Sequence, residues 1–428
     1  MKINYKHMFV AVIILFGFIV IVSSVSACVP VTPIDDILLI SKNPNVKNLT
    51  ISNNTKGGIN GAVEKSESGD IIYLKKGVYR FNNVNIKINK NLTIIGKGSA
   101  KKIVIDARVK GRIFNISKNG QLKLVNVTIK NGFVSSKYSK GGAIYNKGFL
   151  LVNKCIFIKN HAKDNEFSYG GGIYNYGSLK VKNSIFKNCI AYSGGAIYCS
   201  AVYPTHIYKC KFINNKATEG SAIHNDFDID DNLLDDIQSK IILKRSYFKN
   251  CGIYNEVENS LITNNKFHVK FSSAIENFCE KATISFNTII GRKSRTPKYY
   301  GIDLFLSNNI NVHNNKIYGF FDAGIYIVGV KNNVFKNQIY GKNRGVGIWL
   351  DYYHDSVLGS DISKYNNVRK NKVVQFKYGI YAYKGLKTNK ISYNKLIKNN
   401  IGLASSYKFK NMSNIFKGNK KNIIKIKK

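Results

Sequence analysis

The stretch GGAIYN, at residues 141–146, decides the fold because the chain repeats it. GGGIYN follows at 170–175, GGAIYC at 194–199 and GSAIHN at 220–225, at intervals of 29, 24 and 26 residues. A repeat of this length holds one structural unit that cannot bury its own apolar side chains, so neighbouring repeats must stack on each other. The repeat therefore predicts an elongated stack of similar coils.

Aligning the chain on the isoleucine of this motif extends the repeat far beyond the four copies. The first column is Ile144, Ile173, Ile197, Ile223, Ile253, Ile275, Ile302, Ile325, Ile348, Ile380 and Leu403. About twelve residues later, a second column is Cys155, Ser184, Cys210, Ser246, Asn265, Asn287, Asn315, Asn337, Asn371 and Asn394, with Asn126 assigned to the coil before. Short β-rich runs between Asn and Gly indicate a β-solenoid, in which inward Asn amides hydrogen-bond from coil to coil.

The segment INGAVEKSESGD, before the first coil, has a different pattern. Ile59, Ala62 and Val63 follow helical spacing there, and Gly69 is placed to end a helix. A short amphipathic helix at this position is expected to cover the open apolar end of the first coil.

The repeats also resemble a known family. GDIIYLKKGVYRF (69–81), NLTIIGKG (91–98) and the GGAIYN copies resemble right-handed parallel β-helix proteins of the pectin-lyase-like fold. Residues 141–280 resemble repeats of polymorphic outer-membrane and archaeal adhesin-like surface proteins, and residues 300–406 resemble carbohydrate-binding and sugar-hydrolase repeats. The resemblance implies an all-β, single-stranded right-handed parallel β-helix of about 12–14 coils over residues 57–420, with an N-terminal capping helix.

The N-terminus has the features of an export signal. Basic residues, an apolar run and small residues precede Cys28. We interpret residues 1–27 as a signal peptide or signal anchor, with Cys28 as a candidate lipidation site and cleavage without a lipid as the alternative. Residues 28–56 are assigned to a linker and residues 421–428 to a basic tail. We expect a secreted or cell-surface protein whose membrane attachment involves only the N-terminus.

The composition limits the classes of partner. A hydrophobic content of 44% excludes a wholly disordered chain. The net charge of +42 is typical of proteins with polyanionic partners, but Lys far outnumbers Arg, and Asn and Ile are abundant throughout. We attribute this bias to base composition rather than to a nucleic-acid site, which leaves glycans or anionic cell-envelope polymers as the expected partners.

The cysteines are predicted to fill inward turns rather than to form disulfides or bind metal. Cys155 and Cys210 share a column but lie two coils apart, about 9.6 Å, which is beyond disulfide reach. A zinc set of Cys189, Cys199, His206 and Cys210 has irregular spacing. The seven histidines form no His-x-His pair, so the sequence does not favour a copper or zinc site.

The residue after each column isoleucine is expected to point outward, because side chains alternate along a strand. This outward file is Tyr145, Tyr174, Tyr198, His224, Tyr254, Glu276, Asp303, Tyr326, Trp349 and Tyr381, beside a column of Ala and Gly. It predicts a shallow trough about 45 Å long that binds carbohydrate. The predicted binding residues are Tyr254, Tyr326, Trp349 and Tyr381, with Arg292 and Arg295 in a basic loop suited to an anionic glycan. The alternative is an aromatic ladder that only stabilises the sheet.

Glu276 and Asp303 are neighbours within this outward file. Two carboxylates about 5 Å apart would suit the acid and the nucleophile of a retaining glycosidase. The alternatives are a Ca²⁺ site or two solvated carboxylates. The sequence has none of the Asp-Asp, Gly-His-Gly or Arg-x-Lys groupings of β-helix polygalacturonases, and no clear pectate-lyase pattern. Catalysis at this pair is therefore one hypothesis among several.

An acidic insertion gives the candidate metal loop. The interval from Ile223 to Ser246 is 23 residues instead of the usual 11 to 14, and it contains DFDIDDNLLDDI. Alternating oxygens of Asp226, Asp228, Asp230 and Asp231 could bind calcium, although the Gly and the final Glu of an EF-hand are missing. The alternative is an acidic loop paired with neighbouring lysines.

Three functions are consistent with these patterns. The first is an exported, adhesin-like β-helix that binds glycans or cell-envelope polymers without catalysis. The second is a polysaccharide lyase or glycoside hydrolase acting near Glu276 and Asp303, and the third is a structural envelope protein.

Overall fold

The structure, a computed structural model, describes residues 46–80, 83–164, 167–200, 203–226, 240–292, 299–319, 322–355, 360–383, 388–406 and 413–426. For residues 353–355 and 360–362 it describes only the backbone. These residues fall within the second of two units, Val46–Lys428. The first unit, Met1–Asn45, lies outside the described residues.

Three parallel sheets of 14 strands each form the walls of a solenoid in the described part of the chain. Sheet A contains β1 (Asn48–Ile51), β2 (Ile71–Leu74), β5 (Asn91–Gly96), β8 (Gln121–Val125), β13 (Phe149–Asn153), β18 (Ser178–Lys182), β21 (Thr205–Tyr208), β24 (Ile241–Lys244), β27 (Leu261–Thr263), β30 (Thr283–Ser285), β33 (Asn311–His313), β36 (Asn333–Phe335), β41 (Asn367–Arg369) and β44 (Lys390–Ser392). Each strand pairs with the strand one coil away, so the strand count agrees with the predicted 12–14 coils.

Sheet B lies on the second side of each coil. It contains β3 (Gly77–Tyr79), β6 (Ile103–Asp106), β9 (Thr128–Lys130), β14 (Ile156–Ile158), β19 (Ile185–Lys187), β22 (Lys211–Ile213), β25 (Tyr247–Lys249), β28 (Lys266–Val269), β31 (Thr288–Gly291), β34 (Lys316–Tyr318), β37 (Gln338–Tyr340), β42 (Lys372–Val374), β45 (Lys395–Ile397) and β47 (Ile415–Lys417). Its inward rings Phe157, Phe186, Phe212, Phe248 and Phe267 stack face to face at centroid distances of 4.6, 5.2, 4.9 and 4.4 Å.

Sheet C carries the isoleucine column on the third side. It contains β4 (Ile86–Ile88), β7 (Phe114–Ile116), β12 (Ile144–Asn146), β17 (Ile173–Asn175), β20 (Ile197–Ser200), β23 (Ile223–Asp226), β26 (Ile253–Asn255), β29 (Ile275–Asn277), β32 (Tyr300–Phe305), β35 (Ala323–Val328), β38 (Val346–Leu350), β43 (Tyr378–Ala382), β46 (Ile401–Ser405) and β48 (Lys421–Lys425).

Several shorter elements lie outside the three large sheets. Short parallel pairs join β10 (Phe133–Ser135) to β15 (His161–Lys163) and β11 (Ser139–Lys140) to β16 (Ser168–Tyr169), and an antiparallel pair joins β39 (Tyr353–Asp355) to β40 (Ser360–Ile362). Helix α1 spans Gly58–Lys65, and a 3-10 turn spans Ala100–Lys102.

Helix α1 is located where helical spacing predicted it. Ile59, Ala62 and Val63 are buried, and the helix contacts β1 and β4, the first strands of sheets A and C, respectively. It ends at Lys65, before the predicted stop at Gly69, because the Ser66 hydroxyl donates to the Ala62 carbonyl and the backbone at Ser66 is already extended.

The predicted register of the isoleucine column is confirmed. Ile302 pairs with Ile325, Ile325 with Ile348, and Ile348 with Ile380, and each of the four is fully buried. Repeated coils therefore place equivalent side chains directly above one another, which is the arrangement that one coil needs to bury its apolar side chains.

The Asn column forms the predicted ladder from Asn265 onward. The amide of Asn315 donates to Oδ1 of Asn337 at 3.0 Å, and the amide of Asn287 donates in the same way to Asn315.

The assignment of Asn126 to this column was wrong by one residue. Val127 directly precedes β9, just as Cys155 directly precedes β14, so Val127 holds the column position, and it is buried. Asn126 instead has a positive φ of 63°, and its side-chain amide donates to the backbone carbonyls of Gly96 and Gly98.

The column of Ala and Gly lies on the inside of the solenoid rather than beside an outer trough. A Cβ at Gly324 would lie 2.5 Å from Cγ2 of Ile339, whose side chain is buried in the core. At Gly347 a Cβ would lie 2.1 Å from Cγ1 of buried Val373. These positions are small because sheets B and C approach closely there.

The described cysteines behave as the columns predicted. The six cysteines Cys155, Cys189, Cys199, Cys210, Cys251 and Cys279 are free and buried. Their side chains face the interior, and burial raises the pKa of the thiols of Cys155 and Cys210 to about 12. They are therefore apolar filling residues of the core.

The sheets extend past both ends of the segment predicted to be solenoid. Strand β1 lies within the proposed linker 28–56 and pairs with β2. Strand β48 lies within the proposed tail 421–428 and pairs with β46. Backbone hydrogen bonding to the neighbouring coil orders these segments even though their sequences lack the full repeat.

Candidate functional site

The outer face of sheet C carries the predicted file of side chains, but it is not one continuous exposed trough. Tyr174, Tyr198 and His224 are only 1–2% exposed. The cause is a segment that packs over them: β16 brings the ring of Tyr169 to 4.8 Å from that of Tyr198 and 6.4 Å from that of Tyr174. The predicted trough is therefore closed from Tyr174 to His224.

Three rings from the C-terminal half of the file and the neighbouring ring of Tyr300 form a partly exposed group, which we call the aromatic platform: Tyr300, Tyr326, Trp349 and Tyr381. Tyr300 stacks on Tyr326 at 4.6 Å, with an angle of 6° between the rings. Trp349 makes edge-to-face contacts with Tyr326 at 5.3 Å and with Tyr381 at 5.9 Å. Among the described residues Trp349 has no parallel stacked partner.

Two buried polar atoms beside the aromatic platform have no hydrogen-bond partner among the described residues. They are Oδ1 of Asp303 and Nε1 of Trp349. Asp303, Tyr326 and Trp349 are successive register partners, so the two atoms lie on strands about 10 Å apart. The Tyr326 hydroxyl between them donates to Oδ2 of Asp351 at 2.8 Å. A buried polar atom without a partner is costly, so this pair needs an explanation.

Glu276 and Asp303 are register partners, as the outward file predicted. Burial raises the pKa of Glu276 from 4.5 to about 7, against the opposing effect of a hydrogen bond with Ser273. Burial, followed by the charge of Glu276, raises the pKa of Asp303 well above its ordinary value. Both side chains are half-buried, so the two are not a pair of fully solvated carboxylates.

A second ionisable group, which we call the histidine cluster, lies toward the N-terminal end of the same face. It consists of Glu219, His224, Asp226 and Glu256. Nε2 of His224 is 3.4 Å from Oε2 of Glu256, and its Nδ1 is 3.7 Å from Oε2 of Glu219. The hydroxyl of Tyr198 donates to Oδ2 of Asp226.

Burial has opposite effects on the acid and the base of the histidine cluster. Burial raises the pKa of Glu256 to about 7, although its hydrogen bond with His224 opposes the shift. Burial by itself would lower the pKa of His224, but the hydrogen bond with Glu256 and the charges of Asp226, Glu256 and Glu219 together raise it. Ionisable groups with shifted pKa values that are packed this closely are typical of functional sites.

The other predicted site residues lie apart from these two groups or outside the described part. Tyr254 is enclosed between the rings of Phe278, stacked at 4.6 Å, and His224, at 4.7 Å, so it does not belong to the aromatic platform. Arg292 is exposed just after β31. The predicted residues that lie outside the described residues are Cys28, Asp228, Asp230, Asp231 and Arg295.

Several residues of these groups were not predicted from the sequence. Glu256 follows β26 by one position and aligns with Asp226 of β23, because Asn225 pairs with Asn255. That alignment could have been read from the repeat. Tyr300 is the first residue of β32 and Asp351 directly follows β38, and the repeat does not mark either position.

Comparison with known proteins agrees with the observed fold. Residues 225–420 match the family model described as "Right handed beta helix region". This chain has the right-handed parallel β-helix fold. No curated protein matches the chain.

Solved structures similar to this β-helix have low sequence identity. A PL6 alginate lyase in complex with a trisaccharide is 15% identical, covers 86% of this chain and 84% of its own, and has a TM-score of 0.49. The alginate lyase AlyF-OU02 with G6 is 15% identical, with coverages of 90% and 87% and a TM-score of 0.45. The Dettilon tailspike protein is 13% identical, with coverages of 86% and 68% and a TM-score of 0.43.

Within the described residues, no helix combines the length and the apolar character needed to cross a membrane.

Proposed function

We propose that this β-helix is a glycan-binding protein whose binding site is the aromatic platform with Asp303 and Asp351. The observation that carries the proposal is the pair of buried, unpartnered polar atoms, Oδ1 of Asp303 and Nε1 of Trp349, beside partly exposed rings. Sugars combine apolar ring faces with hydroxyl groups, so aromatic side chains next to hydrogen-bonding groups of both kinds are suited to them.

The charges at the site favour a neutral sugar. Asp303 and Asp351 flank Tyr326, and the Glu276 carboxyl lies one coil from Asp303. The carboxyl groups can hydrogen-bond sugar hydroxyls, whereas the negative charge of Asp351, next to Tyr326, repels the carboxylate of a uronic acid. Uronic acids and other anionic envelope polymers would instead use the basic surface around Arg292, outside the platform.

Binding to neutral and uronic-acid polysaccharides, measured by calorimetry on the full chain, tests this proposal. We expect a neutral glycan to bind, and both Trp349→Ala and Asp303→Asn to weaken binding at least tenfold. Tyr318→Ala is the matched control, because Tyr318 is an exposed, stacked tyrosine on sheet B. Equal loss in the Tyr318 variant, or unchanged binding by both platform variants, would contradict the proposal. Absence of binding by every glycan would favour the structural envelope protein.

Polysaccharide cleavage at Glu276 and Asp303 is the second candidate function. The pKa of Glu276 near 7 suits a general acid, and the two residues are on adjacent strands. A retaining glycosidase also needs an ionised nucleophile, and the raised pKa of Asp303 opposes that role. Glycan binding without cleavage is therefore the better-supported function. If the protein cleaves a polysaccharide and both Glu276→Gln and Asp303→Asn abolish the products, cleavage becomes the better-supported function.

The same proposal includes an adhesin-like role outside the cell, based on the export signal expected in residues 1–27. We further propose that helix α1 caps the first coil. Its buried Ile59, Ala62 and Val63 support this role, because an open apolar coil end would promote association. Protease accessibility of the protein on intact cells would test the location.

A further inference from the structure

Three residues of the histidine cluster place metal-ligating atoms close together. His224 and Asp226 point the same way from β23, because they are two residues apart on one strand. Glu256 aligns with Asp226 from the next coil. One ligand atom from each of the three residues lies within 4.8 Å of the other two. This is the one such group among the residues that the structure describes.

The imidazole of His224 is held in place by packing yet lacks a full set of hydrogen bonds. Its side chain is 2% exposed and lies between the rings of Tyr198, at 5.1 Å, and Tyr254, at 4.7 Å. Its Nδ1 has no hydrogen-bond partner in the described part of the chain, since the nearest carboxylate oxygen, on Glu219, is 3.7 Å away. A histidine that binds a metal through Nε2 keeps its proton on Nδ1, and Glu219 lies on that side of the ring, where metal-bound histidines usually face an outer-shell carboxylate.

The distance between His224 and Glu256 fits a small metal ion. Two ligand atoms that each lie about 2.1 Å from a tetrahedral metal are about 3.4 Å apart. Nε2 of His224 and Oε2 of Glu256 are separated by 3.4 Å. The hydroxyl of Tyr198, which donates to Asp226, would orient that carboxylate as an outer-shell partner does.

We propose that His224, Asp226 and Glu256 bind a divalent transition metal of the Zn²⁺ type. One imidazole nitrogen and two carboxylates are a ligand set that suits Zn²⁺ or Co²⁺, with a fourth position available to water. Ca²⁺ prefers six to eight oxygen ligands, so this site differs in chemistry from the calcium loop expected around Asp226. His224 lies three coils, about 14 Å, from Asp303 and five coils, about 24 Å, from Trp349, so the metal site shares no residue with the proposed glycan site.

Titration of the full, chelator-treated chain with Co²⁺ tests the site, with visible absorption and calorimetry as the readouts. We expect one Co²⁺ per chain, a tetrahedral visible spectrum, and displacement by Zn²⁺ but not by excess Ca²⁺. His224→Gln and Glu256→Gln should each weaken binding more than about 100-fold, and Tyr198→Phe should weaken it about tenfold. His313→Gln is the matched control, because His313 lies on the outer face of sheet A.

The possible outcomes separate the proposal from its alternatives. Circular dichroism would establish that each variant is folded. If His224→Gln does not fold, Glu256→Gln and Asp226→Asn, whose side chains are partly exposed, carry the test. Absence of Co²⁺ binding would overturn the proposal and leave a metal-free network of imidazole and carboxyl groups. Binding that survives all three changes, or that Ca²⁺ displaces, would also overturn it.

Discussion

Replacing Asn315 tests whether the Asn ladder holds the coils of the glycan-binding half in register. Asn315 lies between the strands that carry Asp303 and Tyr326, and it is fully buried. Its amide donates to the Ile284 carbonyl at 2.9 Å and to Oδ1 of Asn337 at 3.0 Å. Its Oδ1 accepts from the backbone and side-chain N–H groups of Asn287 at 2.9 and 3.0 Å.

Asn315→Ala removes all four of these hydrogen bonds. At about 1 kcal/mol net for each bond, we expect the free energy of unfolding to fall by about 4 kcal/mol. The backbone N–H of Asn287 loses its acceptor, whereas the side chain of Asn287 retains its bond to the Ile262 carbonyl. Asn315→Ser should lose only about 2 kcal/mol, because Ser184 shows that a hydroxyl at this column makes two hydrogen bonds: it accepts the backbone N–H of the preceding coil and donates to a backbone carbonyl.

Urea unfolding followed by circular dichroism measures the loss. The unfolding rate should be recorded as well, because a stack of coils can unfold in stages. Asn311→Ala is the control: it lies on the outer face of sheet A, makes no side-chain hydrogen bond among the described residues, and should change stability by less than about 0.5 kcal/mol. The reasoning fails if Asn315→Ala loses no more stability than Asn311→Ala, or if the Ser and Ala variants are equally destabilised.

Three further predictions concern charge, packing and the solenoid end. Because burial raises the pKa of Glu276 from 4.5 to about 7, the folded protein holds this proton more tightly than the unfolded chain does. Stability should therefore fall as pH rises from 4.5 to 7, and Glu276→Gln should reduce that fall in urea unfolding at a series of pH values. Gly347→Ala should lower the melting temperature, since the added Cβ would lie 2.1 Å from Cγ1 of Val373. Gly61→Ala, in helix α1, should raise the melting temperature, because its added Cβ has its nearest contact at 3.7 Å and Ala favours a helix over Gly. Equal effects of the two substitutions would contradict the packing argument. Ile59→Lys should promote concentration-dependent association in light scattering if helix α1 caps the first coil, and a monodisperse variant would refute that role.

The register of the coils was predictable from the sequence, and so was the direction of most side chains. The alignment of Ile302, Ile325 and Ile348, with Tyr326 and Trp349 pointing away from the core, agrees with the structure because the repeat and the strand alternation are local properties. The register also placed Glu276 beside Asp303.

The prediction was less accurate where turns decide the geometry. Asn126 takes a left-handed turn conformation, and its neighbour Val127 occupies the buried column. The sequence assigned Asn126 to this column because most of its later members are Asn, and the assignment was one residue off. The Ala and Gly column also lies inside, where a Cβ at Gly324 or Gly347 would meet buried side chains of sheet B, a contact that strand alternation alone does not predict.

The repeated spacing was sufficient to establish a stack of parallel coils, because each coil can bury its apolar side chains only against the next. Which part of the outer face reaches solvent depended instead on the paths of the segments between strands. Tyr169 closes over Tyr198 from such a segment, and Glu256 joins His224 from the following coil. Burial, unmatched polar atoms and perturbed pKa values arise from contacts between distant parts of the chain, and no local pattern of residues specifies them.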